Sequence, residues 1–169
     1  MEFSPKKEHT VSNLKFLANL VTVHVDPEST RGWFSLLEMQ APAGDQPPLH
    51  VHLDEDEGFH VVAGELTIWI GEDEPLVLGP GRSAVAPQGV PHTYRVTGEQ
   101  SARWFVSSTP ARFGRMVAAY AEPTDAVSLE QIEPSPPDLD RLGALAAENG
   151  IQLLGPPGML PSELAVTAG

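Results

Sequence analysis

The chain has 169 residues, room for one domain with a sizeable core and too little for two ordinary ones. Ten Lys and Arg against 23 Asp and Glu give a net charge of −13, a surface that repels phosphate backbones and anionic lipid heads, so neither nucleic acid nor a membrane is an expected partner. With no cysteine, disulfides, thiolate nucleophiles and Cys-based zinc sites are excluded. No apolar run reaches the roughly 18 residues of a membrane span, and Met1–Thr10 lacks the apolar core of a secretion signal, so a cytoplasmic protein is expected.

In chain order, residues 1–12 read as a flexible N-terminus. Two β-like runs follow, Leu20–Val25 and Gly32–Leu37, with Asp26-Pro27-Glu28-Ser29 as the turn between them. After a Pro- and Gly-rich loop from Ala41 to Pro48, short apolar runs recur about every ten residues: His50–Leu53, Gly58–Ala63, Leu66–Ile70, Leu76–Leu78, Ser83–Ala86, His92–Val96 and Arg103–Val106. Glycine-containing turns separate them. This is the pattern of an antiparallel sandwich or barrel, placed at residues 13–110. Residues 111–169 read as a helical appendix packing on the barrel. Phe113, Met116, Val117 and Tyr120 form a helical stripe, and Asp138 is placed to cap a second helix carrying Leu139, Leu142, Leu145 and Ala146 that Gly150 ends. Ile151–Leu154 is a short apolar tail.

Six histidines are present, and two form His50-Val51-His52. On a strand, residues two apart project from the same face, so both imidazoles can meet one ion. Glu57 follows, and Gly81, Pro87 and Gly89 frame a turn that delivers His92. Three neutral imidazoles and a carboxylate suit one divalent first-row metal. The other acids of the run, Asp54, Glu55 and Asp56, read as a solvated loop. Strand alternation turns Phe59 and Val61 inward with Glu57, and Tyr94 and Val96 inward with His92, as candidate substrate-pocket residues. His60 faces the other way.

The spacing Gly44, His50, His52, Glu57, Gly64, followed by Gly81, Pro87, Gly89, His92, resembles the double motif of the cupin superfamily. The one departure is Val96, where the family has Asn. The stretch Asp56–Thr67 and the pattern Thr109-Pro110-Ala111-Arg112-Phe113 further resemble bacterial quercetin 2,3-dioxygenase-like monocupins. The resemblance implies an all-β fold, the cupin double-stranded β-helix or jelly-roll-like barrel, with short C-terminal helices. It implies a divalent transition metal in each chain, Fe, Mn, Co or Ni before Zn or Cu, held by His50, His52, Glu57 and His92. It also implies that Leu14–Val25 pairs across a two-fold axis in a homodimer. The expected activity is cleavage of a flavonol or other enolisable aromatic or dicarbonyl small molecule with O2, Glu57 acting as general base. The alternatives are an O2-independent cyclase, isomerase or lyase, and a non-enzymatic metabolite-binding barrel.

Overall fold

A computed structural model describes residues 11–166. Two antiparallel sheets face each other. One has seven strands in the order β11-β1-β2-β3-β10-β5-β8, and the other has five in the order β12-β4-β9-β6-β7. The strands are β1 (Ser12–Phe16), β2 (Asn19–Val25), β3 (Ser35–Ala41), β4 (Pro48–His52), β5 (Asp56–Ala63), β6 (Leu66–Ile70), β7 (Leu76–Leu78), β8 (Ser83–Ala86), β9 (His92–Val96), β10 (Ala102–Thr109), β11 (Glu122–Pro123) and β12 (Ile151–Pro157). Two short helices, α1 (Arg112–Tyr120) and α2 (Leu139–Glu148), follow the barrel strands.

The core lies between the sheets and follows the alternation of the strands. On β3, Leu37, Met39 and Ala41 are buried while their neighbours are half-exposed, and on β10 Ala102, Trp104 and Val106 do the same. Trp104 is fully enclosed, its ring edge-on to Tyr94 at 5.2 Å. Gly64 lets β5 turn tightly into β6. It sits at φ +74, and a Cβ there would lie 2.6 Å from the Ser101 carbonyl oxygen and 2.7 Å from the Ala102 Cα.

Three expectations change. Of the residues read as a flexible N-terminus, 1–10 lie outside the described ones, and Ser12 already opens β1. The Leu14–Val25 segment finds partners inside the chain. β1 pairs with β2 through Phe16↔Asn19 to Ser12↔Val23 and with β11 on its other side, and Leu20 and Val21 are buried. Leu14, Val23 and Val25 stay half-exposed. The run Gly32–Leu37 enters its strand only at Ser35, because Trp33 stays in the preceding turn with 73% of its surface exposed.

The appendix is helical only in part. α1 buries Met116, Val117 and Tyr120, and α2 is capped by Asp138, whose carboxylate accepts from the Arg141 N–H at 3.0 Å. Gly150, at φ +69, then turns the chain into β12, which adds to the edge of β4 with Ile151 opposite His52 and Leu153 opposite His50. The segment read as an apolar tail is thus the outer neighbour of the strand that carries two histidines.

Candidate metal centre and its cavity

β4 carries His50 and His52 on one face, and the single register pair between β4 and β9 sets His50 directly opposite His92. Glu57, second residue of β5, arrives from the facing sheet. One ligand atom from each of these four residues lies within 4.8 Å of the other three. Glu57 Oε2 is 3.1 Å from His92 Nε2 and 3.7 Å from His52 Nε2. The turn that delivers His92 is pinned to the same strand, the Gly89 N–H donating to the His52 carbonyl at 2.7 Å.

The outward ring nitrogens decide what the inward ones can do. His50 Nδ1 donates to the Pro48 carbonyl at 2.7 Å and His92 Nδ1 to the Val90 carbonyl at 3.0 Å. His52 Nδ1 donates to Glu55. All three acceptors are carbonyl or carboxylate oxygens, so each Nδ1 carries a proton and each Nε2 faces the centre of the cluster, where a neutral ring presents a lone pair and a protonated one donates, as His92 Nε2 can to Glu57 Oε2 at 3.1 Å. His52 Nε2 is buried and has no hydrogen-bond partner among the described residues. Three inward ring nitrogens, one of them a buried orphan, and a carboxylate suit one divalent transition metal, which His50, His52, Glu57 and His92 could hold together.

The electrostatics agree. Burial and the neighbouring His92 and His52 hold His50 down at about 3, a neutral imidazole. Burial would raise Glu57, but His52, His92 and His50 outweigh it and bring the carboxyl to about 2. Burial likewise opposes charge on His52, yet Glu57 and Glu55 together raise it above its ordinary value. The carboxylates therefore favour a positive charge at the centre of the cluster, a proton or a metal ion.

Glu55 corrects the reading of the acidic run. It is 1% exposed, and besides the His52 ring it accepts backbone N–H bonds from Arg112 at 2.5 Å and Phe113 at 2.9 Å. Those are orphan donors at the N-terminus of α1, where a carboxylate is favoured. Sequence reasoning missed it because its backbone partners on α1 lie 57 and 58 residues away. The available signal was the general need of a ligating histidine for an acceptor on its other nitrogen. Asp54 and Asp56 do lie at the surface, Asp54 paired with Arg112.

Above the cluster lies a cavity of about 170 Å³. Its floor includes His50, His52, Glu57 and Tyr94, and its roof comes from Phe113 and Met116 of α1, Leu139, Leu142 and Ala146 of α2, and Ile151, Leu153 and Pro157 of β12. The walls are overwhelmingly apolar. Asn19, Asp45 and Gln46 add a polar stretch near Tyr94, whose hydroxyl bonds to Asp45. Phe59, Val61 and Val96 face inward but belong to the core, at 3%, 0% and 1% exposure, and are not on the cavity wall. Val96, at the motif's Asn position, ties the loop before β4 through its backbone: its N–H donates to the Asp45 carbonyl at 3.0 Å and its carbonyl accepts from Gly44 at 2.9 Å. His60 is exposed and bonds to Ser83 Oγ at 2.8 Å.

Residues 37–108 match the family model described as a cupin domain. Over 81 residues the chain is 35% identical to the quercetin 2,3-dioxygenase of Bacillus subtilis (strain 168), a match covering 48% of this chain and 24% of that protein. The chain thus matches about a quarter of the length of that curated relative. A predicted oxalate decarboxylase from Thermotoga maritima superposes with a TM-score of 0.54 at 15% identity, over 59% of this chain and 93% of that one. The cupin domain of Schizosaccharomyces pombe Cnp3 does so with a TM-score of 0.50 at 14% identity, over 56% of this chain and 63% of that one. At such identities the likeness is one of fold. Two facing antiparallel sheets, the domain match and the four clustered motif residues lead to one assignment: residues 37–108 form a cupin domain.

Proposed function

We propose that the protein is a metal-dependent dioxygenase that cleaves an enolisable small molecule. The observation that carries this reading is the position of the cluster: His50, His52 and Glu57 open onto a small, roofed, apolar cavity, with His92 beside them in the same cluster. The 35% identity with a quercetin 2,3-dioxygenase supports the choice of reaction. A metal held by His50, His52, Glu57 and His92 would supply Lewis acidity, stabilising a substrate oxygen as its anion.

The chain's own groups do the rest. Glu57 lines the cavity as a carboxylate and would accept the proton of the substrate's acidic hydroxyl at its Oε2. The hydrogen bonds at the three Nδ1 atoms hold the rings in one tautomer throughout. Leu142, Met116 and Phe113 overhead keep water from the resulting electron-rich enolate, which favours reaction with O2 over simple reprotonation.

The test is oxygen uptake by protein stripped of metal and reloaded in turn with Fe, Mn, Co and Ni, offered quercetin and a panel of smaller enols. Uptake that requires metal and disappears in His50→Ala is expected. Product formed at the same rate under strict anaerobiosis would replace the reading with an O2-independent lyase or isomerase at the same cluster.

A further inference from the structure

We propose that Asp45 is a specificity-determining residue of this cavity, selecting a neutral, single-ring compound with a metal-binding enol at one end and a hydroxyl donor at the other. The inference rests on the metal-anchored reading above and adds the substrate class.

Size comes first. Drug-sized ligands occupy pockets of about 300 Å³ and more, whereas a closed apolar cavity of about 150 Å³ holds one benzene ring. At about 170 Å³, this cavity takes one ring and its substituents.

Polarity supplies the second end. Tyr94 lies two residues beyond His92 on β9 and on the same face, about 7 Å along the strand. Its hydroxyl donates to Asp45, and the Asn19 side-chain amide donates to Asp45 Oδ2 at 3.3 Å. A carboxylate has about four acceptor positions, so two neighbours leave capacity unused on the cavity side. Asn19 is itself buried, and its Oδ1 has no partner among the described residues. The far pole is therefore rich in acceptors. It is also fixed in place, since the Asp45 N–H donates to the Pro42 carbonyl at 3.1 Å and its carbonyl accepts from Val96 at 3.0 Å.

Charge then excludes a competitor class. No Lys or Arg is among the residues lining the cavity. A second carboxylate on the ligand would meet Asp45 with no cation to balance it, so dicarboxylates and carboxylated rings are rejected. A hydroxyl in the same place gains a charge-assisted hydrogen bond, which amounts to about tenfold in affinity or more.

Three hydroxypyranones that share the metal-binding end and differ in one substituent test this directly: kojic acid with hydroxymethyl, allomaltol with methyl and comenic acid with carboxylate. Binding is read by calorimetry on nickel-loaded protein without O2, for wild type, Asp45→Asn, Asp45→Ala and His50→Ala. In wild type, kojic acid should bind about tenfold more tightly than allomaltol, and comenic acid more weakly than either. Asp45→Ala should level kojic acid with allomaltol, and Asp45→Asn should recover comenic acid, so the second variant decides if the first does not fold. Equal affinities in wild type, an unchanged ranking in both Asp45 variants, or binding of quercetin with none of the pyranones would overturn the proposal. A ranking that persists in His50→Ala would uphold Asp45 and overturn metal anchoring. Binding lost altogether in His50→Ala, with the ranking present in wild type, upholds both.

Discussion

The cavity sits on a cluster of four residues drawn from positions 50 to 92, on the paired strands β4 and β9 and on β5 of the facing sheet. Its roof draws on Phe113 at one end and Pro157 at the other, from two helices and a strand that joins the barrel only after α2. The floor is set by local rules: alternation along β4 pairs two histidines, and one register pair adds a third. The roof is set by contacts across long stretches of chain. Glu55 connects the two, because one carboxylate holds a floor histidine and the first backbone N–H groups of α1. A cluster able to hold a metal can thus be written in a short motif while the space above it is written elsewhere in the chain.

Breaking the floor should have the largest effect. His52→Ala or Glu57→Gln should lower metal affinity by more than about a hundredfold, the loss expected of a ligand rather than its supporting neighbours, as measured by competition with a chromophoric chelator. Metal affinity unchanged in both variants would remove the cluster from consideration. Gly64→Ala comes next. Its new Cβ would press on backbone atoms of Ser101 and Ala102, which no rotamer change relieves, at a φ of +74. A loss of about 2–3 kcal/mol in urea unfolding is expected, with the substituted protein keeping its ligand set.

Glu55→Gln tests the connection. The amide keeps its volume and an acceptor for His52 but weakens a shared charge-assisted network, and metal affinity should fall about tenfold to a hundredfold. Hydrogen exchange at the Arg112 and Phe113 amides should rise in the same variant. A fall in affinity without that rise would separate the floor from the roof. The smallest effect belongs to Asp138→Ala, which removes the cap of α2 and should cost about 1 kcal/mol, seen as faster exchange in α2 alone. Metal affinity in that variant should match the wild type.

How much of this was legible in the sequence follows the same division. The bounds of β6, β7, β8 and β9 coincide with runs read from alternation and glycine punctuation, because a half-buried strand prints its pleat directly on the chain. The four clustered residues and the Asp138 cap were equally readable. Alternation gives direction and not depth, however. Phe59, Val61 and Val96 do point inward, but at a level of the barrel where inward means core, while Tyr94 reaches the cavity wall. β12 escaped notice because two prolines and a glycine interrupt it, and its pairing with β4 spans about a hundred residues with no local signature. Glu55 looked like its solvated neighbours because only the folded chain brings α1 to it.

The order of strands in the sheets has one further consequence. The outermost strands are β11 and β8 in one sheet and β12 and β7 in the other, so β4, β5 and β9, which carry the clustered residues, all have neighbours on both sides. The outer edges of the sheets, the templates on which chains add to one another during aggregation, thus belong to strands that carry none of the clustered residues. Self-association through those margins would take protein out of solution before it disturbed the histidines, and material recovered from such assemblies should still be able to bind metal.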